Sequence, residues 1–263
     1  MEGEYVERRP PPALRPFVRR LQGYREYSSA PLRRRQAPVG SCTLILGFGP
    51  ELRLVGPAGP SAPRSFLAGL HTAAVLTEFT GHQHGMQVDL TPIGAFVLLR
   101  RPGSDLADLV PTLDRLDPAL AALPHRLADL PDWPTRFAAL EGFLAERLLA
   151  EDRRLPDPEV AHAWNLLRRN AGGIAVSALA AETGWSRRHL LTRFRSQIGV
   201  APKTAARVLR FERAARLVVG GEAPGTVAAL CGYSDQAHLT REFRDLAGLP
   251  PRAFVQDMTA GSS

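Results

Sequence analysis

The chain contains a degenerate repeat. Residues 184–202 read GWSRRHLLTRFRSQIGVAP and residues 232–251 read GYSDQAHLTREFRDLAGLPP. Gly184-Trp185-Ser186 matches Gly232-Tyr233-Ser234 at an offset of 48, whereas His189-Leu190, Phe194-Arg195, Gly199 and Pro202 match His238-Leu239, Phe243-Arg244, Gly248 and Pro251 at 49. The second copy therefore has one extra residue in its turn. A repeat of this length means one supersecondary unit used twice, and it must be recognised before any fold is assigned. In each copy a short apolar run ends at a glycine that is free to take positive φ. In the second copy Ser234 or Asp235 can then cap the following helix. Leu239, Phe243 and Leu246 recur at i, i+4 and i+7, one buried stripe. The opposite face carries Gln236, Thr240, Arg241 and Arg244, a cationic surface suited to a DNA groove. These features predict two helix-turn-helix units in tandem, with a helix from Pro202 to Leu217 between them.

Charge points the same way. Residues 1–158 hold 19 arginines and 18 acidic residues, while residues 159–263 hold 14 basic and 8 acidic ones. Within 185–216 nine cations face Glu212 alone, the footprint of a polyanion partner. Lys203 is the only lysine, and arginine suits bidentate phosphate and guanine contacts.

The N-terminal 158 residues read as α+β, strands first and helices last. A short helix is expected over 12–21, a buried strand over 38–49 and its hairpin partner over 51–55. Further strands are expected over 65–70, 73–80 and 86–90, and helices over 92–99, 104–110 and 133–149. Phe137, Leu140, Leu144 and Leu148 mark the face of the last helix, which is expected to serve a homodimer. The segment 156–159 is the expected linker. From Val160 onward the periodicity is helical. The fold class is thus a strand-rich α+β sensor or dimerisation domain (1–158) followed by an all-α domain of two helix-turn-helix units (159–263).

At residues 160–256 the chain resembles the DNA-binding domain of AraC-family bacterial transcription regulators. The resemblance rests on Ile174, Leu179-Ala180, Gly184-Trp185-Ser186, Leu190, Phe194 and Gly199-Val200-Ala201-Pro202 in the first unit. It continues through Arg210, Ala214, Leu217 and Val218 in the helix between, and Val227-Ala228, Gly232-Tyr233, His238-Leu239, Phe243-Arg244, Gly248, Pro250-Pro251 and Phe254 in the second unit. It implies sequence-specific binding to promoter DNA, with two recognition helices in successive major-groove turns. Independently, sixteen linking residues span about 24 Å at ~1.5 Å each, which with the helix widths reaches the ~34 Å between groove faces. The expected DNA-binding residues are Arg187, Arg188, Leu191, Thr192 and Arg195 in the first unit. In the second they are Gln236, Ala237, Thr240, Arg241 and Arg244. Arg188, Leu191 and Thr192 fall where the family contacts bases. Leu191 departs from the polar residue common there and suits a thymine methyl. Arg187, Arg195 and Arg244 equally suit phosphate or solvent.

In the N-terminal half the resemblance implies effector binding or dimerisation but identifies no ligand residue. His82 and His84 share a strand face, with His71 as a candidate third ligand, yet 81–85 reads better as a polar hairpin turn than as a metal site. Cys42 lies in an apolar strand and reads as inert core. A repair methyltransferase fused to a DNA reader would need an activated cysteine, which Cys42 does not provide. No nucleophile-base motif, phosphate loop or acidic metal cluster stands out, so neither enzyme activity nor a cofactor is expected. No apolar run reaches 18 residues and no secretory signal is visible, so the expected setting is cytoplasmic. The partners implied are duplex promoter DNA, a small-molecule effector, a second copy of the chain and, for an activator, RNA polymerase. The alternative is a regulator whose N-terminal half only dimerises or binds a protein.

Overall fold

The structure is a computed structural model that describes residues 2–57 and 59–260. Its N-terminal half is built on one antiparallel sheet. The strands are β1 (Glu2–Arg8), β2 (Val18–Gln36), β3 (Cys42–Gly47), β4 (Arg53–Gly56), β5 (Gly59–Ser61), β6 (Phe66–Ala68) and β7 (Val75–Leu90). The sheet order is β1-β2-β7-β3-β6, with β4 pairing β7 and β5 pairing β4. Strand β7 is the spine. It pairs with β2 from Val75 to Leu90, with β3 over Gly85–Leu90 and with β4 over Leu76–Glu78.

Alternation along β7 divides the two faces of this sheet. Met86, Val88 and Leu90 point to a fully buried core, whereas Val75, Thr77, Phe79, Gln83 and Gln87 line a cavity on the other face. Helices α1 (Pro92–Leu99), α2 (Leu113–Leu116), α3 (Pro118–Ala128) and α4 (Trp133–Leu148) follow the strands.

Several expectations change. Residues 12–21 do not form an α-helix: a 3-10 turn, Pro12–Leu14, leads into β2. Pro16 limits helical growth there, and Val18 and Leu21 are buried by strand pairing. Residues 75–90 form one strand, so 81–85 is not a hairpin turn. Gly81, at φ 81°, absorbs the irregularity opposite the Ser28/Leu32 register shift. His82 stacks on Tyr27, and His84 on Phe48 and Trp133. Strand β4 pairs with β5 and β7 rather than with β3. Residues 104–110 contain only a 3-10 turn, Gly103–Asp105. Cys42 is buried, and burial pushes its thiol up to about 12, so it is an unreactive core residue.

Helix α4 forms as expected, capped by Asp132 accepting from the Thr135 N–H at 2.8 Å. Its apolar face is not available to a second copy. Trp133, Phe137, Leu140, Phe143, Leu144 and Leu148 are all buried within this chain. A helix next to a sheet face of leucine, valine and methionine packs on it before any partner arrives.

The C-terminal half consists of α5 (Pro158–Arg169), α6 (Val176–Thr183), α7 (Arg187–Ile198), α8 (Pro202–Val219), α9 (Pro224–Leu230), α10 (Gln236–Ala247) and α11 (Pro251–Ala260). Its apolar residues fall into two clusters. Trp164, Leu179, Leu190, Phe194 and Ile198 join Leu44, Met86, Phe96 and Leu144 in one core that runs through both halves. Phe211, Val227, Leu239, Phe243 and Phe254 form a separate core under the second unit.

Candidate nucleic-acid interface and N-terminal cavity

The two repeats fold alike. Gly184 and Gly232 end the first helix of each unit at φ 68° and 69°, in the left-handed region. Ser186 caps α7 by accepting from the His189 N–H at 3.2 Å, and Asp235 caps α10 by accepting from the His238 N–H at 2.6 Å. Asp235, not Ser234, is therefore the cap. The extra residue is absorbed between Gly232 and Asp235, before the helix starts. The 49-residue offset then holds along both helices. Leu190 and Phe194 lie where Leu239 and Phe243 lie, all four fully buried. In this register Arg187 corresponds to Gln236, Arg188 to Ala237, Leu191 to Thr240, Thr192 to Arg241 and Arg195 to Arg244.

The structure brings these ten residues onto two outward faces. All are exposed except Thr240, which is half-buried. Leu191 is 39% exposed, an apolar side chain held in solvent by its place on the helix. Thr192 donates its hydroxyl to the Arg188 carbonyl at 3.1 Å, and Thr240 does the same to Gln236 at 2.9 Å. Each hydroxyl oxygen thus keeps its lone pairs outward, an acceptor for a base amino group. Helix α8, 18 residues long, is about 27 Å at ~1.5 Å per residue and separates the two units.

Charge pairing distinguishes outward arginines from structural ones. Among the described residues Arg187, Arg188, Arg195, Arg241 and Arg244 form no salt bridge. By contrast, Arg207 clamps α8 to α10 through Glu242 at 2.8 Å and Asp245 at 2.7 Å. Arg193 grips Asp157 with Nε at 2.6 Å and Nη2 at 2.8 Å. The nine-cation cluster is therefore part outward-facing and part scaffold. Sequence reasoning missed Arg193 and Arg207 as scaffold because their acidic partners lie 35 or more positions away.

Arg193 holds the Asp157 carboxyl below the usual carboxylate range, with Gln197 assisting. A depressed folded-state pKa means stability that is present above the unfolded value and lost as pH falls through the folded one. The pair is partly exposed, at 44% and 26%, so its worth is about 0.5–1 kcal/mol. Asp157→Asn is expected to melt below the wild type at pH 7, with the gap narrowing toward pH 3 as the folded-state carboxyl begins to protonate. Thermal melts at both pH values check this; a gap independent of pH refutes the ion pair's contribution.

The cavity of the N-terminal half has a volume of about 230 Å³. Ile45, Leu54, Phe66 and Phe79 make its apolar wall. The polar wall holds Glu26 and Arg34, paired at 2.7 Å, and Tyr5, whose hydroxyl donates to Glu26 at 2.6 Å. Tyr24 also faces the cavity, and burial raises its hydroxyl well above the ordinary range, so it remains a proton donor. The mixture of an apolar wall and a few convergent polar groups is the usual make-up of a small-molecule site.

Known proteins bear on both regions. Residues 179–257 match the family described as Helix-turn-helix domain. An uncharacterized HTH-type transcriptional regulator, YbfI of Bacillus subtilis, is 33% identical over 85 residues, 32% of this chain and 31% of the relative. The xylose operon regulatory protein of Escherichia coli K12 is 26% identical over 137 residues, 51% of this chain and 35% of the relative. The chain thus spans about a third of the length of these curated relatives. Crystal structures of ToxT from Vibrio cholerae share the fold across both halves. One has TM-score 0.52 and 10% identity, covering 98% of this chain and 99% of that one. Another, bound to an unsaturated fatty acid, has TM-score 0.51 and 9% identity, covering 97% and 96%.

Proposed function

We propose that this chain, whose residues 179–257 match the family described as Helix-turn-helix domain, is an AraC-type regulator: a sequence-specific DNA-binding transcription regulator controlled by a small molecule in its N-terminal cavity. The observation that supports the first part is the pair of equivalent outward faces on α7 and α10, each with arginines that form no salt bridge among the described residues. Two such faces at the ends of an 18-residue helix suit two successive major-groove turns. The second part is supported by the mixed lining of the cavity and by the fatty acid bound to one ToxT structure. The reading is of a regulator rather than an enzyme: Cys42, the candidate methyl acceptor, is a protonated core thiol. The described residues contain no helix long and apolar enough to cross a membrane, and we place the protein's work in the cytoplasm, where promoter DNA is. The division at 158/159 is proposed as one of function; it is not a boundary of packing, because the first unit shares its core with the sheet.

The test is selection of genomic duplex fragments by the full chain, with and without cell metabolites. Expected is a motif of two short half-sites one helical turn apart, with occupancy changed by a metabolite fraction. Recovery of fragments with no common motif overturns the reading. Within it, Arg188 and Arg241 are the proposed base readers. Arg188→Ala should relax preference in one half-site and Arg241→Ala in the other, each costing about 1–3 kcal/mol if the contact is a bidentate guanine pair. Arg216→Ala, on α8, should weaken all sequences alike. If the first two variants lower affinity without altering the selected motif, both arginines are phosphate clamps.

A further inference from the structure

One short stretch of chain is both a wall of the cavity and a handhold for the DNA-binding helices. Along the end of β2 side chains alternate. Arg34 and Gln36 turn into the cavity, while Arg35 turns the other way. Its Nε donates to Asp257 of α11 at 3.0 Å and its Nη1 to the carbonyl of Ala247, the last residue of α10, also at 3.0 Å. Next in the chain, Ala37 lines the cavity and also packs on the core of the second unit. Pro38, Val39 and Ser41 return to the cavity wall. Between them the Gly40 N–H donates to Glu212 Oε2 of α8 at 2.8 Å. The other oxygen of Glu212 accepts from Arg19 at 2.9 Å. A Cβ on Gly40 would collide with Leu209, so the strap backbone lies directly on the linking helix.

We propose that residues 34–41 are the coupling strap of this protein: a ligand that displaces the cavity wall moves α8 through Gly40–Glu212 and α10 through Arg35, and so changes how the two reading helices are presented. This rests on the reading of the chain as a DNA-binding regulator with an effector cavity. The physical requirement for coupling is a contiguous element that both sites bias. The strap meets it with no intervening residue, since neighbouring positions serve the two sites. Reciprocity follows: whatever factor the ligand imposes on DNA affinity, DNA imposes on the ligand. Glu212 and Arg35 are positioning residues here, because neither lines the cavity nor faces outward with the reading arginines.

The experiment needs no effector, because a larger side chain can fill the cavity. Thr43 on β3 lines it outside the strap. Binding of the full chain to its selected duplex is measured for Thr43→Phe in the wild-type background and in Arg35→Ala/Glu212→Ala. Expected is a change of at least about fivefold in the wild-type background and under about twofold when the two handholds are gone. Gln87→Phe, a second filler lining the same cavity, repeats the measurement should Thr43→Phe fail to fold. Hydrogen exchange over residues 36–41 and 208–214 should rise with either filler only while the handholds are intact. Equal effects in both backgrounds overturn the proposal, as does a folded filler with no effect in either. A chain that selects no duplex overturns the regulator reading itself, a different result from a regulator whose fillers act additively.

Discussion

Phe243→Ala is expected to unfold the second helix-turn-helix unit and leave the remainder of the chain folded. The Phe243 ring is fully buried, 4.9 Å from Phe211 and 5.5 Å from Phe254 between centroids. Truncating a packed phenylalanine costs about 3–5 kcal/mol. The surrounding core is small, and among the described residues only Ala37 of the N-terminal half packs against it, so few other contacts share the loss. Phe194→Ala removes the same atoms at the equivalent repeat position, but from a core that also holds Leu44, Phe96 and Leu144. Its effect should spread through the sheet and α1 as well as α5–α7. Hydrogen exchange on the full-length variants checks the contrast: protection lost over 224–257 alone in the first case, and over both halves in the second. Matching patterns would show that the two clusters unfold as one.

Affinity for the selected duplex is expected to drop about 40-fold between ~50 and ~200 mM salt if Arg187, Arg195 and Arg244 each neutralise one phosphate while Arg188 and Arg241 contact bases, at a slope of about −0.9 per phosphate. These three contribute because, among the described residues, none of them forms a salt bridge. Arg193 and Arg207 are already paired and should add little. Arg195→Ala/Arg244→Ala should reduce the slope by about 2. Fluorescence anisotropy at four salt concentrations measures both slopes, and a salt-independent affinity would remove the electrostatic basis of the interface.

How far the sequence was legible follows from where each segment buries its side chains. The C-terminal helices were read to within a few residues because each has one apolar stripe and a glycine or proline at its ends, as in α7 and α10. Strand β2 was not read at all. Its sequence, VRRLQGYREYSSAPLRRRQ, puts polar groups on both faces, since one lines a polar cavity wall and the other forms ion pairs. Strand β7 was cut in two by Gly81 and Gly85, which in the sheet allow an irregular pairing and the close approach of Tyr24. Helix α3 escaped notice because Pro124 sits inside it. On α7 and α10, the outward placement of the ten residues follows from helical periodicity, with Thr240 half-buried. The charge pairing that leaves five arginines without a salt bridge among the described residues has no such signal, because ion pairs between distant segments leave no local pattern. The cavity was invisible for the same reason.

The core that runs through both halves bears on the order of events at the ribosome. The helix-facing side of the sheet and α1 is closed partly by Trp164, Leu190, Phe194 and Ile198, residues made after the whole N-terminal half. At about 5–20 residues per second, the nascent N-terminal half waits several seconds with Leu98, Leu99 and their neighbours incompletely covered. Chaperone dependence and aggregation of stalled chains should therefore concentrate in chains truncated between the completion of α4 and that of α7, and fall once Ile198 has emerged.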